Sequence, residues 1–302
     1  MINFKQIVIL SLVSYNCFSS DAISIMPSLS VTKYDNSLAK SLKDSGFELG
    51  VETTISNRNY LIDLTYNYTN ISYKSSENLQ NLSEHDLVMI GNLNYSNYAF
   101  KAGAHYLNSS EPESFRDLGT GYIGIAGVKG FNYFSKDKLS YGLDAYYSVY
   151  LSAHNDVSSS STLFIDIMQF TPYVQYSLTI NPTLRNDATF KVNAIAASQY
   201  KKSGYLSYEL SDTLVYEDYY AILKICGGEM KSGVTEGGNR VINTKDLYKS
   251  SYNLRAGYYF MQDLAVDISY GINYYQEYNA ATLTLFPEGQ NSVGMVSLSY
   301  DY

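Results

Sequence analysis

The stretch 254–275 reads LRAGYYFMQDLAVDISYGINYY and decides the fold. Large apolar and aromatic residues occupy every second position on both sides of Met261-Gln262-Asp263, and Arg255, Asp267 and small polar residues lie between them. Side chains of a strand point alternately to its two faces, so this pattern predicts two strands that each have an apolar and a polar face. The short connection predicts that the two strands form an antiparallel hairpin.

The same alternation recurs along the chain, for example over 60–68, 98–106 and 139–151. Short connections are predicted near Ser56-Asn57, Ser96-Asn97, 132–138, 180–186, Asp212 and Gln262. Long polar connections are predicted at 70–84, 108–118, 152–163, 227–248 and 276–291. Short and long connections that alternate are typical of membrane barrels, which have short periplasmic turns and long outer loops.

The predicted fold class is therefore all-β: a transmembrane antiparallel up-and-down β-barrel of about 14 strands. The first strand and the region 199–226 are the least regular, and 12 strands result if one pair is dropped. The predicted strands are 24–34, 46–55, 58–69, 86–96, 97–107, 119–132, 138–151, 163–178, 187–199, 204–212, 213–226, 249–260, 263–275 and 291–302.

Composition agrees with strands rather than helices. The 302 residues include 33 Tyr and 12 Phe, but only 5 Pro and no Trp. No run of 18 apolar residues exists, so no spanning helix is predicted. The net charge of −8 disfavours nucleic acid as a partner, because like charges repel.

The N-terminus has the organisation of a secretory signal peptide. Lys5 is followed by the apolar run 7–13 and by small residues around Cys17-Phe18-Ser19. We expect residues 1–19 to be the signal, with a cut as late as 22, and residues 20–302 to form the barrel. Cys226 would then be the single cysteine, which predicts that the barrel has no internal disulfide.

The C-terminus carries a stripe of four apolar and aromatic residues at every second position: Val296, Leu298, Tyr300 and Tyr302. This stripe resembles the C-terminal assembly signal of bacterial outer-membrane barrels, although Phe is usual where Tyr302 stands. The resemblance implies that the protein resides in the bacterial outer membrane. It also implies two partners, the lipid of that membrane and its assembly machinery.

No constellation of catalytic or metal-binding residues is evident. The three histidines are His85, His105 and His154, and neither His105 nor His154 is followed by a serine at the His-x-Ser spacing that would put both side chains on one strand face. In Glu84-His85-Asp86, adjacent side chains point to opposite faces, which disfavours an acid–histidine pair. We therefore predict no enzyme activity, no cofactor and no metal site.

The polar face carries the residues that we predict to line the lumen: Glu48, Glu52, Asp63, Lys101, His105, Asp144, Lys191, Arg255, Asp267 and Asp301. Fourteen strands lie between barrels filled by side chains and barrels with an aqueous channel, so an open or loop-gated pore is predicted. The segment 227–248 is the longest candidate for a loop that folds inward.

The predicted function is a porin-like channel for small polar solutes or ions. The six acids and three permanent bases of the predicted lining differ by 3 − 6 = −3, which favours cations weakly. The first alternative is a surface or structural barrel without transport, whose long loops bind partners. A hydrophobic-substrate transporter and a barrel enzyme are further alternatives. By the same parity, Leu143→Arg on the lipid face should destabilise the barrel, whereas Ser148→Arg in the lumen should be mild.

Overall fold

The computed structural model describes residues 22–35, 43–74, 81–109, 119–153, 163–198, 202–242, 246–261, 263–279, 284–285 and 287–301. The predicted signal peptide and Tyr302 lie outside these described residues, so the signal stays a prediction.

Fourteen long strands form one closed barrel in which each strand pairs antiparallel with its neighbours, and β1 closes the ring against β18. Two short hairpins, β12–β13 and β16–β17, stand apart from the wall. The strands are β1 Ala22–Asp35, β2 Lys43–Ser56, β3 Tyr60–Tyr73, β4 Leu82–Tyr95, β5 Tyr98–Ser109, β6 Thr120–Phe134, β7 Asp137–Ala153, β8 Leu163–Asn181, β9 Leu184–Ala197, β10 Gly204–Tyr216, β11 Tyr219–Met230, β12 Val234–Thr235, β13 Arg240–Val241, β14 Leu247–Met261, β15 Leu264–Gln276, β16 Tyr278–Asn279, β17 Thr284–Leu285 and β18 Gly289–Asp301.

The predicted count of 14 barrel strands and the up-and-down order are confirmed. One predicted turn is wrong: β10 continues through Asp212, and the chain turns at Glu217-Asp218. The sequence near Asp212 has turn-forming residues, but the next residues pair in register up to Tyr216 opposite Tyr219. Strand pairing and the burial of alternate side chains therefore outweigh the local preference of Asp.

The short turns are tighter than the sequence suggested, and strands extend into the predicted connections at 132–138 and 180–186. Ser96, Ser135 and Glu217 each begin a two-residue turn with positive φ, at 54°, 57° and 51°. Positive φ at a turn position matches the right-handed twist of the flanking strands, which is why two-residue hairpins adopt it.

The outer face of the barrel is apolar. Leu143, Leu254 and Ile268 are 41%, 57% and 61% exposed, although each is a large apolar side chain in the middle of a strand. Such a band is stable only against lipid, because exposed apolar surface in water is unfavourable. Among the described residues, no helix is long and apolar enough to cross a membrane.

Aromatic side chains gather on the outer face near the tight turns. Tyr95, Tyr98, Tyr133, Tyr216 and Tyr219 are all at least 49% exposed and lie within a few residues of a two-residue turn. Rings with a polar tip suit the boundary between lipid tails and water. The turns at this end therefore lie close to the membrane interface.

The interior contains an apolar layer that the alternation of the sequence did not predict. We call it the outer layer, because it lies toward the long-loop ends of the strands; its members are Val88, Ile90, Leu107, Ile123, Ile125, Ile165, Ile167 and Ile195, all at most 5% exposed. The expectation that the inner face is polar throughout is wrong here. These side chains are dry because a segment of the chain packs against them inside the barrel.

Candidate functional site

The structure places nine of the ten predicted lining residues on the inner side of the wall, where they alternate with lipid-exposed side chains. The tenth, Asp301, lies exposed at the end of β18. Of the predicted assembly stripe, Val296, Leu298 and Tyr300 lie on the lipid-facing side of β18, at 52%, 44% and 42% exposure. That the inner residues line a path for solutes stays a prediction.

Most interior charges lie in ion pairs in a second region, which we call the middle layer. Its pairs are Lys101–Asp144 at 2.7 Å, Lys191–Glu209 at 3.0 Å, Lys224–Glu209 at 2.9 Å and Arg255–Asp267 at 2.5 Å. Ser297 Oγ and the Tyr220 hydroxyl also donate hydrogen bonds to Asp267. Most of the charged side chains that the sequence places on the inner face are therefore neutralised by a nearby side chain of opposite charge.

Sequence reasoning missed Glu209 and Lys224 of this layer. The misplaced turn at Asp212 concealed their pairing, because only the turn at Glu217-Asp218 sets Glu209 opposite Cys226 and diagonal to Lys224. Lys191 lies directly opposite Glu209 on β9. Alternating acids and bases on neighbouring inward positions were the signal that could have found the cluster.

The most distinctive feature of the interior is a hairpin between β11 and β14. Residues 231–242, which we call the lumen hairpin, include β12, β13 and a 3-10 turn at Glu236–Gly238. Val234 pairs with Val241, and the Ile242 N–H donates to the Gly233 carbonyl at 2.9 Å. The prediction that part of 227–248 folds inward agrees with this arrangement.

The tip of the lumen hairpin packs tightly against the opposite wall. Gly238 has φ 119°, and a Cβ there would lie 2.6 Å from Ile125 Cδ1 and 2.9 Å from Ile90 Cδ1. Glycine is therefore required both by the backbone conformation and by the close approach. Because Ile90 and Ile125 belong to β4 and β6, the hairpin reaches across the lumen from β11 and β14.

Gln169 on β8 holds the start of the lumen hairpin. Its Oε1 accepts the Val234 N–H at 2.8 Å, and its Nε2 donates to the Val234 carbonyl at 2.8 Å. The side-chain amide thus satisfies both backbone groups of one residue, as a neighbouring strand would. Val234 itself is 3% exposed and belongs to the apolar cluster of the outer layer.

His105 on β5 holds the tip. Its Nδ1 lies 3.1 Å from the Gly238 carbonyl oxygen, and its Nε2 lies 3.1 Å from Asp86 Oδ1. Both ring nitrogens face acceptors, so a protonated ring donates to both and a neutral ring to one. His85, in contrast, faces outward, where Tyr66 lies 2.8 Å from its Nδ1.

Two ion pairs join β2 to the chain on the C-terminal side of the hairpin tip. Arg240 Nη2 lies 2.8 Å from Glu48 Oε2, and Lys43 Nζ lies 2.5 Å from Asp246 Oδ2. The second pair is almost fully buried, at 2% exposure for each side chain. The hairpin is therefore anchored to β2, β5 and β8, on several sides of the barrel.

Below the hairpin tip lies a chamber of about 260 Å³. Its lining combines charged, aromatic and apolar side chains with the hairpin backbone: Asp63, Ile90, Asn92, Ala99, Lys101, Val128, Lys129, Asp144, Tyr173, Glu236, Gly237 and Asn239. Lys101 connects the chamber to the hairpin, since its Nζ lies 3.5 Å from the Gly237 carbonyl oxygen. The hairpin is thus the boundary between this chamber and the long-loop side.

A closed 14-stranded antiparallel barrel with an apolar outer face and tight turns at one end defines a bacterial outer-membrane β-barrel protein. Among the solved structures that resemble it are proteins of that class. They include "CymD monoaromatic hydrocarbon channel" (TM-score 0.54, 8% identity, 93% of this chain and 89% of that chain) and a FadL homologue from Pseudomonas aeruginosa (TM-score 0.50, 9% identity, 94% and 90%). A third is "TodX monoaromatic hydrocarbon channel deltaS2 mutant" (TM-score 0.51, 9% identity, 93% and 90%).

At identities of 8–9%, these likenesses show the fold. No protein-family model matches the sequence, and no curated protein sequence matches it.

Proposed function

We propose that the protein is a gated outer-membrane channel for small polar solutes or ions. The observation that carries the proposal is the lumen hairpin, which crosses the barrel and separates a charged chamber from the long-loop side. A barrel of 14 strands is wide enough for a path between side chains when nothing fills it. Solutes could pass only if the hairpin left its contacts with the opposite wall, so the hairpin is the gate.

The contacts of the hairpin suit a gate that opens at moderate cost. Gln169, His105 and Glu48 hold it by single side chains, each of which can release it without disturbing the barrel wall. A hydrogen bond contributes only about 1 kcal/mol net to stability, and a hydrogen bond to a charged group contributes about 1.5–3 kcal/mol. A few such contacts therefore give a mostly closed state with a minor open population.

Weak preference for cations belongs to this proposal. Glu52, Asp63 and Glu236 form no ion pair with another described residue, whereas Lys129 is the corresponding unpaired base in the chamber. Acidic side chains along a path favour cations. The excess is small, and salt at about 0.1 M screens charges beyond about 10 Å, so the preference should fade as salt rises.

Planar-bilayer recording of purified protein tests the proposal directly. Wild type should give infrequent, brief openings, and a variant in which 233–241 is replaced by two glycines should conduct continuously. The open probability of Gln169→Ala should lie between those of wild type and the hairpin-deleted variant, because the substitution removes both hydrogen bonds to Val234. If neither wild type nor the hairpin-deleted barrel conducts, the channel proposal is wrong, and a surface barrel without transport becomes the better explanation.

A channel for small hydrophobic molecules is the second candidate. It is favoured by a cavity of about 530 Å³ where β8–β11 meet, lined by the lipid-facing Met168, Phe170 and Leu206 and the interior Ile195 and Tyr205. The ladder between β10 and β11 ends at Ser207 and Gly228, short of the outer ends of both strands. Two of the proteins with a similar fold are monoaromatic hydrocarbon channels.

Uptake assays separate the two candidates. Proteoliposomes that contain the protein should admit arabinose or glycine if the path is polar. Toluene uptake by cells that express the protein should rise above that of cells without it if the path is apolar. Leu206→Asp should abolish the second activity and leave the first unchanged, because it alters only the outer cavity.

A further inference from the structure

We propose that the chamber below the hairpin tip is a binding site for small zwitterionic solutes, and above all for basic α-amino acids. The inference rests on the proposed channel function, whose solute it names. A volume of about 260 Å³ lies just below the 300–1,000 Å³ of pockets for drug-sized ligands, which suits a single small metabolite.

The charges of the chamber do not balance internally. Lys101 and Asp144 neutralise each other at 2.7 Å. Asp63 accepts a hydrogen bond from Thr54 Oγ1 at 2.8 Å, and neither Asp63 nor Glu236 is ion-paired with another described residue. Two carboxylates of the lining are thus without a cationic partner.

Lys129 supplies the opposite charge. Its Nζ donates to Gln175 Oε1 at 3.1 Å and lies 6.0 Å from the centre of the Tyr173 ring, and it has no carboxylate partner among the described residues. Asp63 and Lys129 are half-buried, where charges without partners are unfavourable, and Glu236 is exposed at the hairpin tip. The chamber lining therefore has two negative charges and one positive charge that form no ion pair with another described residue.

A basic α-amino acid carries the complementary set. Its carboxylate matches Lys129, and its two cationic groups match Asp63 and Glu236. Ile90 and Ala99 offer apolar surface for the methylene stem between these groups. A neutral amino acid satisfies two of the three charges, and a dicarboxylic amino acid places a second carboxylate near Asp63 or Glu236, where like charges repel.

The site also couples binding of the solute to the position of the lumen hairpin. Asp63 and Lys129 belong to the wall, on β3 and β6, whereas Glu236 belongs to the lumen hairpin. A solute that contacts all three bridges the hairpin and the wall. Saturating L-lysine should therefore reduce the open probability of the channel.

Equilibrium binding to the purified full chain in detergent tests the site. L-lysine should bind about tenfold tighter than L-alanine, since one contact between charged groups is lost, and L-glutamate should bind more weakly than both. Lys129→Gln, Asp63→Asn and Glu236→Gln should each weaken L-lysine binding by about tenfold or more. Lys129→Arg keeps the charge and should retain binding, which separates loss of the site from loss of the fold.

Asp212→Asn is the matched control for Asp63→Asn and Glu236→Gln, because Asp212 lies on the outward face of β10 and the change in net charge is the same. The proposal is overturned if L-glutamate binds as tightly as L-lysine, or if a chamber variant binds like Asp212→Asn. Binding of L-lysine without conductance would keep the site and remove the channel. Conductance without L-lysine binding would do the reverse.

Discussion

The outer and middle layers of the barrel interior are built by opposite chemistry. The outer layer is a dry apolar core, in which Ile123 and Ile167 are 2% and 1% exposed and the lumen hairpin supplies the opposing surface. The middle layer consists of ion pairs such as Arg255–Asp267. A membrane barrel can thus have a core of the globular kind at one level and a polar lumen at another.

The difference shows why the gate belongs to the outer layer. Apolar contacts are lost together when the hairpin leaves, so closure there is cooperative. The ion pairs of the middle layer join strands of the wall, neighbouring ones in Lys191–Glu209 and the next but one in Lys101–Asp144, and remain when the hairpin moves. The middle layer therefore shapes the path, and the outer layer decides whether it is open.

The largest expected effect comes from a charge placed in the outer layer. Ile125→Asp would bury a carboxylate against Gly238, at a cost of several kcal/mol if the hairpin stays seated. We expect the hairpin to leave instead and the conductance to rise to that of the hairpin-deleted barrel. Single-channel recording measures the change.

Ile125→Val is the control for this prediction. It removes one methyl group, which costs about 0.5–1.5 kcal/mol, and should leave the channel mostly closed. Closed-channel behaviour in Ile125→Asp would contradict an apolar seat for the hairpin.

The next effect compares the two faces of one strand. Leu143→Arg should destabilise by about 2–4 kcal/mol, because Leu143 faces lipid in the middle of β7. Contrary to the sequence-based expectation, Ser148→Arg should be equally damaging, since Ser148 is 1% exposed and lies on the inner face near the hairpin rather than in water. Thr189→Arg, at a half-buried inner position on β9, is the mild control. Urea unfolding in lipid vesicles ranks the three variants.

These cases show what the sequence could and could not predict. Period-two alternation specifies which face of a strand each residue occupies, and it assigned Leu143, Lys101 and Asp267 correctly. It does not specify what lies opposite the inner face. Ile123 and Ile125 stood at inward positions in the sequence, yet only the folded hairpin explains why apolar residues belong there.

The anchors of the gate were beyond sequence reasoning for the same reason. Gln169 and Val234 are 65 residues apart, and Arg240 and Glu48 are 192 apart. No local sequence pattern links positions so distant. Glu48 was predicted as an inner residue, but its partner on the hairpin was not.

A moderate effect should follow from breaking an ion pair of the middle layer. Asp267→Ala leaves Arg255 without its carboxylate, and because Arg255 is 27% exposed we expect a loss of about 2 kcal/mol, below the 3–5 kcal/mol of a fully buried pair. Replacing both residues, as Arg255→Met with Asp267→Leu, should recover most of this loss. The same urea unfolding measures it, and the absence of recovery would show that the pair does more than neutralise its own charges.

The smallest effect concerns ion selectivity, where paired and unpaired acids should differ. Asp63 forms no ion pair with another described residue, so Asp63→Asn removes one of the three such acids that the structure describes near the path and should lower the cation preference by roughly a third. Lys101→Gln with Asp144→Asn removes a neutral pair from the same chamber and should leave the preference unchanged. The reversal potential in a KCl gradient measures both, at low salt where screening is weakest. Equal shifts in the two variants would mean that Lys101 and Asp144 act on ions separately despite their contact, and anion preference in the wild type would mean that Lys129 outweighs Glu52, Asp63 and Glu236.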